Sequence, residues 1–271
     1  MNKIIFLILV LNFPIFSQEN FTVNANTLRI RNLPSSNSEI VGKLNKGIEV
    51  TIISKSDKFE EINGIISEWI EVQTIDKTQK GYIFGAYLES KKNPNPFTKC
   101  FKNKKGITIF LNNGKSILLK NGLPKNDEDP QEFIQFNNCT FYKDLDSVVI
   151  EYSMHEGGGH ELYNLKNGKF IQIWGHPIFS KNKKYFACFS ADIEVEFYPN
   201  GIQIYQLNLT PIKEFEYEFD SSDMNKNFQP TDLEWTSEDT IKVILKNIDL
   251  TKTKIVNFQK TDKKWKIINK P

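Results

Sequence analysis

Residues 155–160 read HEGGGH and contain two of the chain's three histidines, a glutamate and three consecutive glycines. Imidazole and carboxylate groups bind zinc, and the zinc-protease motif H-E-x-x-H places its two histidines on one face of a helix. Here His155 and His160 are five residues apart. Each glycine between them would cost a helix about 1 kcal/mol relative to alanine. The segment therefore does not fit the helical zinc motif.

The residues around this segment predict a β-hairpin instead. VVIEYSM precedes it and ELYNL follows it, and glycine allows the positive φ angles of a tight turn. We predict that the three glycines form the hairpin tip, so that alanines there would cost little stability. Because binding residues gather on loops held by a rigid sheet, His155, Glu156 and His160 are candidate ligand contacts.

The alternative for this segment is a metal ion held across the hairpin. His155 and His160 would then bind the ion with help from Glu156 or Glu161, while the remaining histidine, His176, lies outside the segment. The flanking strands and the glycines favour a plain hairpin, so we predict no metal and no cofactor.

The rest of the chain offers no recognisable catalytic motif. It has no G-x-S-x-G serine motif, and Cys100, Cys139 and Cys188 are spread too far apart for a zinc pattern. In an oxidising compartment two of these cysteines could form a disulfide, but the sequence does not say which two. The sequence predicts a protein that is not an enzyme.

The N-terminus has the layout of a cleaved secretory signal. A short positive segment, Met1–Lys3, precedes the apolar run Ile4–Leu11, and the small residue Ser17 follows. The apolar run is far shorter than the roughly 20 residues that cross a bilayer. We predict cleavage near Ser17 and an exported mature chain, periplasmic or secreted, without a membrane span.

The pattern of apolar and polar residues indicates an all-β protein, and the charge balance predicts no nucleic-acid binding. Short alternating runs such as TLRIR, EVTII, VVIEY and IKVIL are separated by Asn, Gly, Asp and Lys, and no helix-length amphipathic stretch is present. The 35 basic and 33 acidic residues give a net charge of +2. Such a balance argues against a general electrostatic attraction to nucleic acid or anionic membranes.

Residues from about 22 to 90 resemble the bacterial SH3 (SH3b) domain. The opening LRIRNLP, the turn GKLNKG, the strand EWIEVQT and the ending KGYIFGAYLES follow the order of that family's pattern. We predict a small SH3-like barrel over residues 20–91, a fold that hides its sheet edges by closure.

This resemblance implies peptide binding, often to peptidoglycan peptides. It makes Arg31, Trp69, Tyr82 and Tyr87 candidate groove residues. Trp69 can also be a core residue, because large aromatic side chains are usually mostly buried. Tyr82 stands where many family members have tryptophan, and the segment KFEEINGIISE is longer and more acidic than the family's usual loop.

Beyond a predicted linker at residues 92–98, weak repeats continue to the end of the chain. Three stretches show a similar order of turn and strand signals. They are PIFSKNKKYFACFS with NGIQIYQLN, DLEWTSEDTIKVILKN, and the run from DSVVIEY to FIQIW. They resemble the blades of WD40-like or YWTD-like propellers, at about 40 residues a blade. We predict that residues 99–271 form a β domain, either a partial or small propeller or an irregular β-sandwich.

These observations predict an exported, non-enzymatic binding protein. The SH3b-like module would recruit it to cell-wall peptides or to an envelope protein, and the C-terminal β domain would offer a second interaction surface. The alternatives are an envelope assembly or docking protein, and a cell-wall hydrolase with a divergent C-terminal catalytic domain.

Overall fold

The computed structural model describes residues 20–90, 93–122, 133–155, 157–192, 199–208, 210–219 and 227–269. Within these ranges the regular elements are β-strands and two single-turn 3-10 helices, Gly85–Tyr87 and Lys143–Leu145. The all-β prediction is confirmed. No helix among the described residues is long and apolar enough to cross a membrane. The predicted signal segment and its cleavage position lie outside the described residues.

The first part of the chain is a small barrel-like sheet. Its strands are β1 (Asn20–Val23), β2 (Thr27–Arg31), β3 (Ile40–Asn45), β4 (Glu49–Ile62), β5 (Ile65–Thr74), β6 (Lys80–Phe84) and β7 (Leu88–Glu89). All pairings are antiparallel: β1 pairs with β4 and β7, β2 with β3 and β6, and β5 with β4 and β6. Alternating apolar residues of these strands, such as Leu28, Ile30, Ile70 and Val72, meet in one buried core.

The hairpin of β4 and β5 extends beyond this barrel and joins it to the next part of the chain. The start of β5 pairs with β8 (Thr98–Asn103), through Ile65 opposite Phe101 and Ile66 opposite Cys100. The strands β9 (Gly106–Phe110) and β10 (Ser116–Lys120) continue the same sheet. The unusually long segment that precedes Trp69 in the sequence is therefore a connecting element, while the division into domains and a linker remains a prediction.

Three four-stranded antiparallel sheets follow. The first contains β11 (Gln135–Tyr142), β12 (Ser147–Met154), β13 (Gly157–Asn164) and β14 (Phe170–Ile173). The second contains β15 (Ile178–Phe179), β16 (Tyr185–Ser190), β17 (Gly201–Gln206) and β18 (Ile212–Glu218). The third contains β19 (Phe228–Ser237), β20 (Thr240–Asn247), β21 (Thr253–Thr261) and β22 (Lys264–Asn269). In each sheet the spatial order of the strands is their order along the chain, as in the blades of a propeller.

The sheets stack face to face, with one apolar core between each pair of neighbours. One core joins the β8–β10 strands to the first four-stranded sheet and contains the Cys100–Cys139 disulfide. The next core lies between the first and second sheets, and another lies between the second and third. Val148, Val149 and Ile150 are fully buried in succession because β12 is covered on both faces. This arrangement confirms the resemblance to propeller blades.

Candidate functional site

Four residues form one row across the first four-stranded sheet. Asn138 of β11 lies opposite Glu151 of β12, Glu151 lies opposite His160 of β13, and His160 lies opposite Ile173 of β14. Side chains alternate between the two faces of a sheet, and Ile173 belongs to the core shared with the second sheet. The row therefore faces the second sheet.

The register of this hairpin corrects the predicted position of its turn. Strand β12 ends at Met154 and β13 begins at Gly157, which pairs directly with Met154. The prediction of a hairpin is confirmed, but the prediction that the three glycines form its tip is wrong, because they are paired residues of β13. Of the predicted loop contacts, His155 is exposed in the turn, His160 lies in β13, and Glu156 lies outside the described residues.

Close packing against Tyr152 explains Gly158 and Gly159 of β13. A Cβ atom on Gly158 would lie 2.2 Å from the carbonyl oxygen of Tyr152, and one on Gly159 would lie 2.8 Å from its hydroxyl oxygen. A real Cβ atom cannot approach backbone so closely without a local shift. The glycines therefore allow the close approach of Tyr152 and its neighbours to β13.

His176, in the connection after β14, completes the site. Its Nε2 atom lies 2.8 Å from Glu151 Oε1, and its Nδ1 atom lies 2.8 Å from the hydroxyl oxygen of Tyr142. Asn138 Nδ2 donates to the same Glu151 oxygen at 3.0 Å. The His160 ring stands edge-on to the His176 ring, with 5.2 Å between their centroids. We call Glu151, His160 and His176 the two-histidine cluster.

The surroundings of the cluster set the charges of its members. Burial raises the pKa of Glu151, but hydrogen bonds from His176 and Asn138 lower it by more, so the net pKa lies below the usual value. Burial lowers the pKa of His160, the electrostatic effect of His176 adds to this and that of Glu151 opposes it. Burial raises the pKa of Tyr142 to about 12, with the negative charge of Glu151 adding to the effect. At neutral pH the site therefore combines a carboxylate, a neutral His160 and a protonated phenol.

This arrangement can carry out two kinds of chemistry. Glu151 and Tyr142 hold His176 from opposite sides of its ring, which fixes the ring for proton transfer. Two imidazoles and a carboxylate are also the donor set of many metal centres. His160 additionally lines a cleft of about 300 Å³ together with Tyr152, Gln172 and Trp174. A small molecule or water in this cleft would contact His160.

Sequence reasoning missed Tyr142, Glu151 and His176 of this site, and also Asn138, which donates to Glu151. For Glu151 the usable signal was the length of the turn. A hairpin closed by the pair Met154 and Gly157, which corresponds to the commonest loop length, places Glu151 opposite His160. A turn centred on the glycines would pair Glu151 with a different residue.

The predicted groove residues of the barrel differ in their exposure to solvent. Trp69 is 2% exposed and packs edge-on against Phe84, with 5.7 Å between the ring centroids. Arg31 is buried opposite Tyr82, and its guanidinium donates to the backbone oxygen of Ser38. Tyr82 and Tyr87 are half-buried.

A different part of the barrel surface forms a cleft of about 490 Å³. It lies between the β3–β4 turn and the β5–β6 turn, and we call it the barrel cleft. The exposed side chains of Ile48 and Ile75, at 40% and 50% exposure, supply apolar surface. Lys43, Glu49 and Asp76 supply charges of both signs.

Solved structures with overall similarity to this chain include two bacterial proteins. One is described as a candidate 6-phosphogluconolactonase from Bacteroides fragilis, with 10% identity and a TM-score of 0.33; the match covers 93% of this chain and 82% of that chain. The other is the periplasmic gluconolactonase of Pseudomonas aeruginosa, with 7% identity and a TM-score of 0.36; the match covers 92% and 82% of the two chains. No curated protein sequence matches this chain.

These neighbours contradict the prediction of a non-enzymatic binding protein. Both structures come from proteins described as lactonases, which are enzymes, so we withdraw that prediction. The similarity is too low to give this chain their reaction, and no lactonase activity is assigned to it.

The family comparison concerns the first part of the chain. Residues 26–89 match the bacterial SH3 domain, which agrees with the strand order described above. The resemblance seen in the sequence is thereby confirmed over this segment, and residues 26–89 are a bacterial SH3 domain.

Proposed function

We propose that the SH3 domain binds a peptide of the bacterial cell envelope and holds the stack of sheets, with its two-histidine cluster, at that place. The observation that carries this proposal is the family match of residues 26–89. Bacterial SH3 domains commonly bind peptidoglycan, and cell-wall peptides are the ligand class we favour. An envelope protein with an exposed peptide segment is the alternative partner.

The barrel cleft supplies surface chemistry that suits a short peptide. Ile48 and Ile75 can pack against methyl groups of a peptide. Lys43 can pair with a carboxylate of the peptide, and Glu49 can pair with an amine. Hydrogen bonds from Thr74 and Thr78 lower the pKa of Asp76, so this wall of the cleft keeps its negative charge at neutral pH. Binding sites for small ligands combine apolar walls with a few placed polar groups in this way.

Two features support export of the protein. The Cys100–Cys139 disulfide is typical of proteins that fold in an oxidising compartment. The N-terminal pattern of a positive segment, an apolar run and Ser17 is typical of a cleaved signal. We propose cleavage near Ser17 and a periplasmic or secreted mature protein.

Co-sedimentation of the mature protein with purified peptidoglycan sacculi tests this proposal. We expect the wild-type protein to pellet with the sacculi and Ile75→Asp to remain largely in the supernatant. Ile255→Asp is the matched control, because Ile255 is similarly exposed, at 47%, but lies in β21, far along the chain from the SH3 domain. Wild-type protein that stays in solution would contradict binding to the wall and leave the envelope protein as the partner to be sought.

A further inference from the structure

We propose that Glu151, His160 and His176 bind a divalent transition-metal ion of the zinc type. The three residues offer one carboxylate oxygen and two imidazole nitrogens, and these ligand atoms lie within 4.8 Å of one another. The inference rests on the geometry of the cluster and is independent of the SH3 domain and of its proposed ligand.

The distances require only small movements of the side chains. Two atoms bound about 2.1 Å from one tetrahedral zinc ion lie about 3.4 Å apart. Glu151 Oε1 and His176 Nε2 are 2.8 Å apart in their hydrogen bond, so an ion between them would replace the shared proton and separate the two atoms slightly. His160 would approach by rotation of its ring, which already stands edge-on to that of His176.

The backbone of the sheet holds two of the proposed ligands, Glu151 and His160, in place. Glu151 and His160 are direct cross-strand partners in the middle of a four-stranded sheet. Ile150, next to Glu151, is buried in the core on one side of that sheet. Leu162, two positions from His160, is buried in the core on the other side. A rigid backbone of this kind reduces the free energy needed to organise a metal site.

Two further side chains contact the proposed ligands, as is common around metal ions. Tyr142 contacts His176 Nδ1 at 2.8 Å, which leaves Nε2 as the nitrogen that faces Glu151. Asn138 donates to Glu151 Oε1 and limits the rotation of the carboxylate. Partners that fix the tautomer and orientation of ligands in this way contribute to metal affinity.

The donor set indicates the class of ion and the type of site. Imidazole nitrogen suits zinc, copper, iron and nickel, whereas calcium and magnesium prefer ligands that are all oxygen. Three protein ligands leave at least one coordination position for water or a substrate, as in catalytic zinc sites. His160 lines the cleft of about 300 Å³, so a small molecule could reach that position.

Isothermal titration of the untagged mature protein with zinc chloride tests the proposal, with cobalt absorption spectra as a second readout. We expect one zinc ion per chain, and binding at least about 100-fold weaker for His160→Ala and for His176→Ala. Tyr142→Phe keeps all three ligands and removes only the contact to His176 Nδ1. We expect it to weaken binding by about 10-fold, while magnesium and calcium should not compete.

His155→Ala is the matched control, since His155 is exposed in the turn of the same hairpin and outside the cluster. It should bind zinc as the wild-type protein does. Loss of binding in His155→Ala equal to that in His160→Ala would overturn the proposal in favour of a site at the turn. Wild-type protein that binds no zinc, or binds it no better than a folded His160→Ala variant, would also overturn it.

Discussion

His176 Nε2 lies 2.8 Å from Glu151 Oε1, although the two residues are 25 positions apart in the chain. Glu151 projects from β12, the second strand of its sheet, and His176 belongs to the connection that leads from that sheet to the next. Their contact exists because the connection returns over the row that Glu151 and His160 form. The candidate site therefore belongs to the junction between two stacked sheets.

Replacement of Gly158 by alanine should destabilise the protein. The new Cβ atom would lie 2.2 Å from a backbone oxygen of Tyr152, which cannot move without distorting β12. We expect a loss of about 2–4 kcal/mol in the free energy of unfolding, measured by urea denaturation. Gly159→Ala should cost less, because the atom it meets is the hydroxyl end of the Tyr152 side chain. Equal and negligible losses at both positions would contradict the register described here.

Cys188 should be unreactive in the folded protein. It is fully buried, and burial raises the pKa of its thiol to about 12, so almost no thiolate is present near neutral pH. A colorimetric thiol assay at pH 8 should detect no thiol in the native protein and one per chain in denaturant. Denaturant with a reductant should release all three cysteines, because the other two form the Cys100–Cys139 disulfide. Three reactive thiols without a reductant would contradict that pairing.

Lys260 should stabilise the contact between the second and third sheets. Its ammonium group lies 2.5 Å from Glu214 and 2.9 Å from the hydroxyl oxygen of Tyr185. We expect Lys260→Met to lower the free energy of unfolding by about 1–2 kcal/mol. Lys242→Met is the control, since its pair with Glu234 is more exposed and should contribute less than about 0.5 kcal/mol.

This contribution should depend on pH in a defined direction. Burial lowers the pKa of Lys260, but the hydrogen bonds to Glu214 and Tyr185 raise it by more, so the net pKa lies above the usual value. A pKa raised by folding stabilises the protein fully below the unfolded pKa of about 10.5, and the effect is lost as the pH rises through the folded value. The difference between wild type and Lys260→Met should thus be constant from pH 7 to 9 and shrink above about pH 10.5. A difference that grows with pH would contradict this sign.

The extended β4–β5 hairpin should stabilise the contact between the barrel and the first four-stranded sheet. Phe59 near its end packs on Phe141 of the first four-stranded sheet, with 4.6 Å between the ring centroids, and the Lys99 ammonium lies over both rings. We expect Phe59→Ala to cost about 1–3 kcal/mol in the free energy of unfolding. Phe133→Ala, at a position that is 50% exposed, should cost little. Similar values for the two variants would contradict the role of the hairpin.

Local patterns in the sequence were sufficient to predict the classes of structure in this protein. Period-two alternation predicted the strands, since one face of each strand must be buried. The ordered signals from Leu28 to Leu88 predicted the SH3 domain because its turns and core positions are local in the chain. The strands on either side of HEGGGH predicted a hairpin, which the register of β12 and β13 confirms.

The contacts between residues of different strands and sheets follow from the three-dimensional fold. The pairing of Met154 with Gly157, in place of a turn at the glycines, changes every cross-strand pair and places Glu151 opposite His160. The contact of His176 with Glu151 and the choice of Cys139 as the partner of Cys100 depend on how successive sheets stack. Such contacts join residues that are far apart in the chain, so no local pattern of residue types specifies them.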